Sequence, residues 1–556
     1  MDALLADVLV GRGISLDELD AFLQPSLKRS LPDPSSLLEM DIAAERLADA
    51  ITGGETIGIF GDYDVDGTSA AALLFRYLRS VGAEAVVHLP DRFTEGYGPS
   101  QAGLQSLTER SASVVVTVDC GSNHGDVLEP VGADVIVLDH HLMADRPDVF
   151  ALVNPQRAED LSDLKGLSAG GVTFMALVAM SRALRKRDWF KDRPEPNLLQ
   201  SLDLVALSLV ADVMPLKGLT RTLVAQGLKI LGDFEAGQGG NPGIRALANV
   251  AGVTGHANAG HLGFQIGPRI NAAGRIGHAR VAFDLLTTDE PERAEAIAQK
   301  LEALNKERRK LEDQVRREAI AQIEARSSEP GGAVIAAGEG WHPGVVGIVA
   351  GRLKERYNRP AFCIAMQDGK GTGSGRSVTG VDLGAAVARA AKDGVIVGGG
   401  GHEMAAGLTL TQDQLSEFER FIEANLGEAI ATATEEHPLT IDAYISLGAV
   451  HGRTCEALRP AAPFGQGHPE PVFAFSDVII RNTRIVGDKH LALTIEDHLG
   501  RTARAIAFGV VGEPLGESLD HAASTRSPMH LAGRITPDTW RGAEAAQLQL
   551  IDAAEA

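Results

Sequence analysis

The segment Phe60-Gly-Asp-Tyr-Asp-Val-Asp-Gly67 sets three carboxylates, Asp62, Asp64 and Asp66, at alternate positions. Such acids repel one another unless a cation sits among them. A helix N-terminus would favour one or two of them, and an ordinary polar loop is the plainer alternative. A calcium loop of the EF-hand kind shares the D-x-D-x-D-G pattern, but its twelfth position, counted from Asp62, is Leu73, where a bidentate acid is required. Two more acid sites follow apolar runs: VVVTVDCG ends in Asp119, and VIVLDHH ends in Asp139, His140 and His141. Adjacent histidines point in different directions, so one can ligate while the other meets substrate. Asp212 interrupts LDLVALSLVADVMPL; a carboxylate there is costly unless paired or cation-bound, although a helix-capping acid before Pro215 also explains it. Carboxylates mixed with imidazole suit manganese or magnesium, and the histidine favours manganese. Two metals sharing a bridging acid would activate water and neutralise a phosphoryl group attacked in line, which is phosphodiester or phosphoanhydride hydrolysis.

Those residues need a scaffold that gathers them. From residue 56 to about 210, apolar β-branched runs alternate with helical patterns: TIGIF (56–60), EAVVHL (84–89), SVVVTV (113–118) and DVIVL (134–138). Continuous apolar strands between helices predict a parallel sheet covered on both faces, and open parallel sheets place their ligands at the carboxyl ends of the strands. The first helix is GTSAAALLFRYLRSV, and segments 172–187 and 197–211 extend the helical part. From Glu290 to Arg326, Ile297, Leu301, Leu304, Arg308, Leu311, Val315 and Ile323 repeat at about 3.5 residues, predicting a long helix with one apolar seam. Two readings stand: a solvated helix packed by that stripe, or a bridge between domains that lends Lys306, Arg308, Arg309 and Lys310 to a cleft. A second α/β region begins at AVIAAG and runs to about residue 425. Six short β segments from LTIDAYISL to AAQLQLIDA then predict a small barrel or sandwich.

A chain of 556 residues is expected to divide into roughly three or four domains. Hydrophobic residues at 44% and charged residues at 23% are those of a globular protein, which excludes a largely disordered chain. Cys120, Cys363 and Cys455 are too scattered for a disulfide framework or a thiolate zinc site, the N-terminus does not read as a signal peptide, and no segment reads as a membrane span; a cytoplasmic protein is expected. The net charge of −22 runs against nucleic-acid binding. It does not exclude it, because the local field of a cleft and its bound cations decides.

Taken together, DYDVDG, DCG, DHH and ADVMPL, in this order and at these separations, resemble the DHH phosphoesterase superfamily. DRFTEGYG (91–98), GLSAGGVTF (166–174), GPRINAAGR (267–275), EGWHPGVVGIVAGRL (339–353), GTGSGRS (371–377) and GGGGHEMAAG (398–407) are similar to its RecJ family in particular. The resemblance implies a DHH core with an N-terminal segment (1–285), a connecting helix (286–327), a DHH-associated substrate-binding domain (328–428) and an OB-like β domain (429–556). It implies Asp64, Asp66, Asp119, His140 and Asp212 as ligands of two divalent metals, Mn2+ first and Mg2+ second, with Asp119 bridging. Asp62 completes the shell where sister branches carry a histidine at the place of Phe60. His141 is expected at the scissile phosphate. Substrate contacts are expected from Arg269, Asn271, Arg275, Ser374, Arg376, Ser377, Gly400, Gly401 and His402, with the glycine runs forming phosphate-binding nests or, as the alternative, serving tight turns and close packing. Trp341 and His342 read as packing at a helix start. In the OB-like domain Phe473, Phe475, Phe508 and Trp540 are the few stacking candidates. The implied activity is an exonuclease acting on single-stranded DNA from the 5′ end, monomeric, in recombination and repair beside a single-strand-binding protein and a RecQ-type helicase. A phosphodiesterase for short oligonucleotides or second messengers, and an inactive DNA-binding scaffold, are the alternatives.

Overall fold

The computed structural model describes residues 2–237, 239–326, 332–433, 438–538 and 545–556. Its first sheet comprises β1 (Thr56–Gly61), β2 (Ala85–His88), β3 (Ala112–Val118), β4 (Asp134–Leu138) and β5 (Ala151–Val153), all parallel, in the order β2-β1-β3-β4-β5. Val114, Val115, Val116 and Val118 are completely buried because both faces are covered. At roughly 1.5–3 kcal/mol for each buried side chain, this fixes where the strand ends and Asp119 begins. Helices Met40–Gly53, Val65–Ser80 and Ala169–Lys186 cover one face, while Phe60, Leu104 and Leu107 pack on the other. The strand β5 was not anticipated, since three residues give no periodicity to read.

The second sheet holds β6 (Val334–Glu339), β7 (Ala361–Gln367), β8 (Lys370–Arg376), β9 (Gly398–His402) and β10 (Ala405–Thr411), in the order β6-β7-β8-β10-β9. Only β6 and β7 run parallel. The glycine runs expected to form anion nests are therefore strands. Strand β8 pairs on both sides, so its amides are spent in the ladder. Its glycines serve packing: a Cβ on Gly375 would lie 2.6 Å from Phe362 and from Leu383.

The terminal region is a closed barrel. Strands β12 (Phe473–Val486), β13 (His490–Glu496), β14 (Thr502–Ala507), β16 (Ala546–Glu555) and β15 (Pro528–Pro537) pair in that order, and β15 returns to β12. The sixth predicted strand shrinks to β11 (Ala443–Tyr444) beside the start of β12. Phe473 and Phe475 are buried in the barrel core, Phe508 is half-exposed, and Trp540 lies outside the described residues.

Helix Pro291–Arg326 has 36 residues, about 54 Å at 1.5 Å each. Its first half packs on helices Pro242–Ala251 and Gly267–Ile276, and its second half on β6 and helix Pro343–Tyr357. It is thus a bridge, not a solvated helix packed within one domain. Its mid-point cation does not face a cleft, however: Arg308 is buried and donates to Asn305 Oδ1 (2.9 Å) and Glu312 Oε2 (3.1 Å).

Candidate metal centre

Each acid is placed by the end of a buried strand or helix. Asp62 follows β1, and Asp64 caps helix Val65–Ser80, its Oδ1 accepting from the Gly67 amide at 3.0 Å. Only glycine fits at 67, since a Cβ there would stand 2.7 Å from the nitrogen, oxygen and Cβ of Asp62. Asp66 turns the other way: the amides of Ala169 and Gly170 donate to its two oxygens (2.7 and 3.0 Å), and the Ser208 hydroxyl also donates to it. Those amides open helix Ala169–Lys186, where unpaired N–H groups favour an anion. Asp119 follows β3 in a left-handed conformation (φ 65°), His140 follows β4, and Asp212 ends helix Leu202–Ala211.

The side chains converge. His140 Nε2 lies 3.2 Å from Asp119 Oδ1 and 3.5 Å from both Asp66 Oδ2 and Asp212 Oδ2. Donor atoms of Asp66, His140 and Asp212 lie within 4.8 Å of one another, as do those of Asp62, Asp64 and Asp119, and those of Asp119, His140 and His141. Asp119 and His140 together link the three sets. Asp62 Oδ1, Asp119 Oδ1 and His140 Nε2 are buried without a hydrogen-bond partner. Buried polar atoms left so are costly, and hard divalent cations answer the need of this oxygen-rich donor set. Burial first, then the neighbouring carboxylates, pushes Asp62 and Asp119 well above the ordinary carboxylate range and Asp212 up to about 9. Burial holds His140 below its usual value, leaving it neutral, as a ligand must be.

His141 differs from its neighbour. Burial alone would depress its pKa, but Nδ1–H donates to Asp139 Oδ1 at 2.7 Å, and this pairing raises it to about 9. Asp139 also accepts from the amides of Ser122, His140 and His141, so its charge is fixed in place. The other ring nitrogen of His141, Nε2, lies 3.0 Å from the Tyr97 hydroxyl, and Asn154 donates to the His141 carbonyl at 2.8 Å.

Asp139, His141 and Asp212 of the centre line a cleft of about 580 Å³, with Ser374, Arg376, Gly401 and His402 of the second domain also lining it. Behind them Arg275 and Arg376 line a smaller recess with Gly347 and Gly351. Burial, then the charges of Arg92, Arg308 and Arg376, lowers Arg275 to about 10; Arg308 is paired with Glu312, and Arg352 and Glu355, themselves paired, complete the recess. The other expected contacts are placed differently. Arg269 is buried and donates to Glu302 (2.7 Å) and to the Gln265 carbonyl, tying helix Gly267–Ile276 to the long helix and leaving little to offer a phosphate. Ser377 is buried with its hydroxyl on the Val381 carbonyl. Gly400 lies on β9 beside Gly401, and Asn271 is half-exposed on the helix between Arg269 and Arg275. Trp341 is buried and donates to Glu318, and His342 caps helix Pro343–Tyr357. Phe60 is buried on the far face against His88, with no route to the acids. Sequence reasoning named Asp139 at the end of its strand without giving it a role, and did not single out Arg92, Tyr97 or Asn154. Arg92 and Tyr97 sat within the quoted DRFTEGYG, but no spacing rule separates them from its other residues.

Residues 56–208 match the DHH family N-terminal domain, 331–428 the DHHA1 domain and 441–552 the RecJ OB domain. The single-stranded-DNA-specific exonuclease RecJ of Dickeya dadantii is 36% identical over 99% of this chain and 95% of its own, and that of Escherichia coli is 36% identical over 89% and 86%. The crystal structure of RecJ from Thermus thermophilus in complex with Mn2+ superposes with a TM-score of 0.77 at 30% identity, covering all of this chain and 76% of that one. Identity of this extent, spread over all three folded regions and accompanied by a converged set of acids and imidazoles, places the chain in the RecJ family.

Proposed function

We propose that the chain is a metal-dependent exonuclease that hydrolyses single-stranded DNA from the 5′ end and releases mononucleotides. One observation carries the reading: the linked metal-ligand sets reach, through Asp212 and His141, a cleft whose opposite wall presents Arg376. Asp62, Asp64, Asp66, Asp119, His140 and Asp212 would hold two divalent ions, manganese first and magnesium second, in keeping with the related structures solved with each. Bound there, divalent ions supply an activated water and neutralise the phosphoryl oxygens. His141, oriented by Asp139, presents Nε2 to the cleft and can give a proton to the leaving oxygen. Arg92, Arg275 and Arg376, with Ser374 and His402, would take the phosphates of the strand end and set its direction. Relatives named as single-stranded-DNA-specific exonucleases support the substrate.

Among the described residues no helix is long and apolar enough to cross a membrane. We place the protein in the cytoplasm as a monomer, beside a single-strand-binding protein and a RecQ-type helicase, in recombination and repair. Digestion of oligonucleotides labelled at either end, with manganese, tests the activity. The parent is expected to release mononucleotides stepwise from the 5′ end, and Asp119→Ala to lose at least about three orders of magnitude in rate. Equal rates for the two proteins would overturn the assignment.

A further inference from the structure

Helix Leu202–Ala211 ends in a Schellman turn: the Val213 amide donates to the Val210 carbonyl (3.2 Å) and the Met214 amide to Leu209 (3.0 Å). The left-handed residue this turn requires is usually glycine. Here it is Val213, at φ 58°, a β-branched residue for which that conformation is strained by about 1–3 kcal/mol. Burial does not offset the strain, because the side chain is 63% exposed. The residue before it is the ligand Asp212.

A second irregularity lies alongside. The turn His261–Ile266 is π-helical and packs on the same helix end, with Gly263 against Val210 and Gly267 against Ala211. It presents Phe264, 81% exposed and among the most exposed large apolar side chains of the chain. The turn runs on into helix Gly267–Ile276, which ends at Arg275 in the arginine recess. Asn271 and Arg275 stand one turn apart on that helix, and Phe264 precedes them on the π-helical turn. From Phe264 to Arg275 the rise is about 16 Å.

We infer that Val213 and Phe264 form an apolar rest for the nucleobases of the strand, at the end of the metal centre remote from the arginine recess. The inference depends on the proposed activity and adds where the bases are held. Strain and exposure at the edge of the centre are retained because the contact forms only when a strand is bound. Apolar side chains meet any base, so the contact is indifferent to sequence.

The test compares normal oligonucleotides with ones carrying abasic sites at successive positions from the 5′ end, for the parent, Val213→Gly and Phe264→Ala. The parent is expected to lose about fivefold or more in kcat/KM when the base occupying the rest is missing. Each variant is expected to show a similar loss on normal strands and to become less sensitive to the missing base. Val213→Gly is also expected to melt about 2 °C higher, since glycine relieves the strain. Variants that keep the parent's full discrimination against abasic strands would refute the base contact while leaving the exonuclease intact. A parent inert towards every single strand would instead sink the activity, and the inference with it.

Discussion

Asp62 and Asp119 are held above the usual carboxylate range by burial and by each other's neighbours, and Asp212 titrates near 9 instead of 3.8. Through Asp212 the metal-free folded chain binds more protons than the unfolded one between about pH 4 and pH 9, a contribution to stability that falls as pH rises, whereas burial lowers His140, and His468 to about 4, and these act the other way below about pH 6.5. His141, raised from 6.5 to about 9, acts in the same direction over its upper half. Divalent ions replace those protons, so the gain on adding them should be largest at the alkaline end. Melting curves of EDTA-treated protein from pH 7 to 9 should decline, manganese should restore them most at pH 9, and Asp212→Asn should flatten the decline. A metal-free melting temperature that climbs with pH over that range would contradict this account. At this scale the sequence was most legible where residue type alone carried the chemistry: three carboxylates in DYDVDG have few other uses. Arg269 misled because an arginine in a polar motif looks the same whether it faces a phosphate or Glu302.

Among the elements, the long helix has the clearest mechanical role, since it packs on the first domain with Ala294, Ala298 and Leu301 and on the second with Val315, Ala319 and Ile323. Glu307 is exposed near the middle. Proline there removes a backbone bond and clashes one turn back, at a cost of about 3 kcal/mol or more. Glu307→Pro is expected to split one unfolding transition into two in calorimetry and to abolish strand digestion while leaving manganese binding intact; a single transition with full activity would remove the helix from this role. The helix was legible because residues near a 3.5-residue spacing run from Ile297 to Ile323 with no glycine or proline among them. The seam could not say that its two halves face different domains, as apolar periodicity reports burial and not the partner. The glycine strands were misread for a related reason: a run such as Gly398–Gly401 has no side-chain alternation, and only pairing with β10 shows it to be a strand.

Over the whole molecule, one buried cation ties the N-terminal segment and the first domain to the chain that leads into the barrel. Arg221 is 4% exposed and donates to the carbonyls of Phe22, Ala461, Ala462 and Pro463 while lying 3.9 Å from the Phe22 ring centre. The N-terminal segment, the first domain and the lead-in to the barrel thus share one guanidinium. Arg221→Met removes the donor from the Phe22, Ala462 and Pro463 carbonyls, leaving Ala461 to His468 (2.9 Å), and is expected to cost on the order of 2–4 kcal/mol. Hydrogen exchange should quicken at residues 20–24 and 461–469 before it does in the parallel sheet; unchanged exchange there would show that the joint does not depend on the cation. The overall charge of −22 then reads as that of an acidic exterior around a cationic recess, so attraction for a strand is confined to one place.

A 54 Å rod seated in both domains fixes the gap between them as a gauge block fixes the jaws of a caliper. Jaws that cannot swing apart admit only what can be fed through by a free tip. A covalently closed circle of DNA, chemically identical to its linear form, should survive until a single nick gives it one.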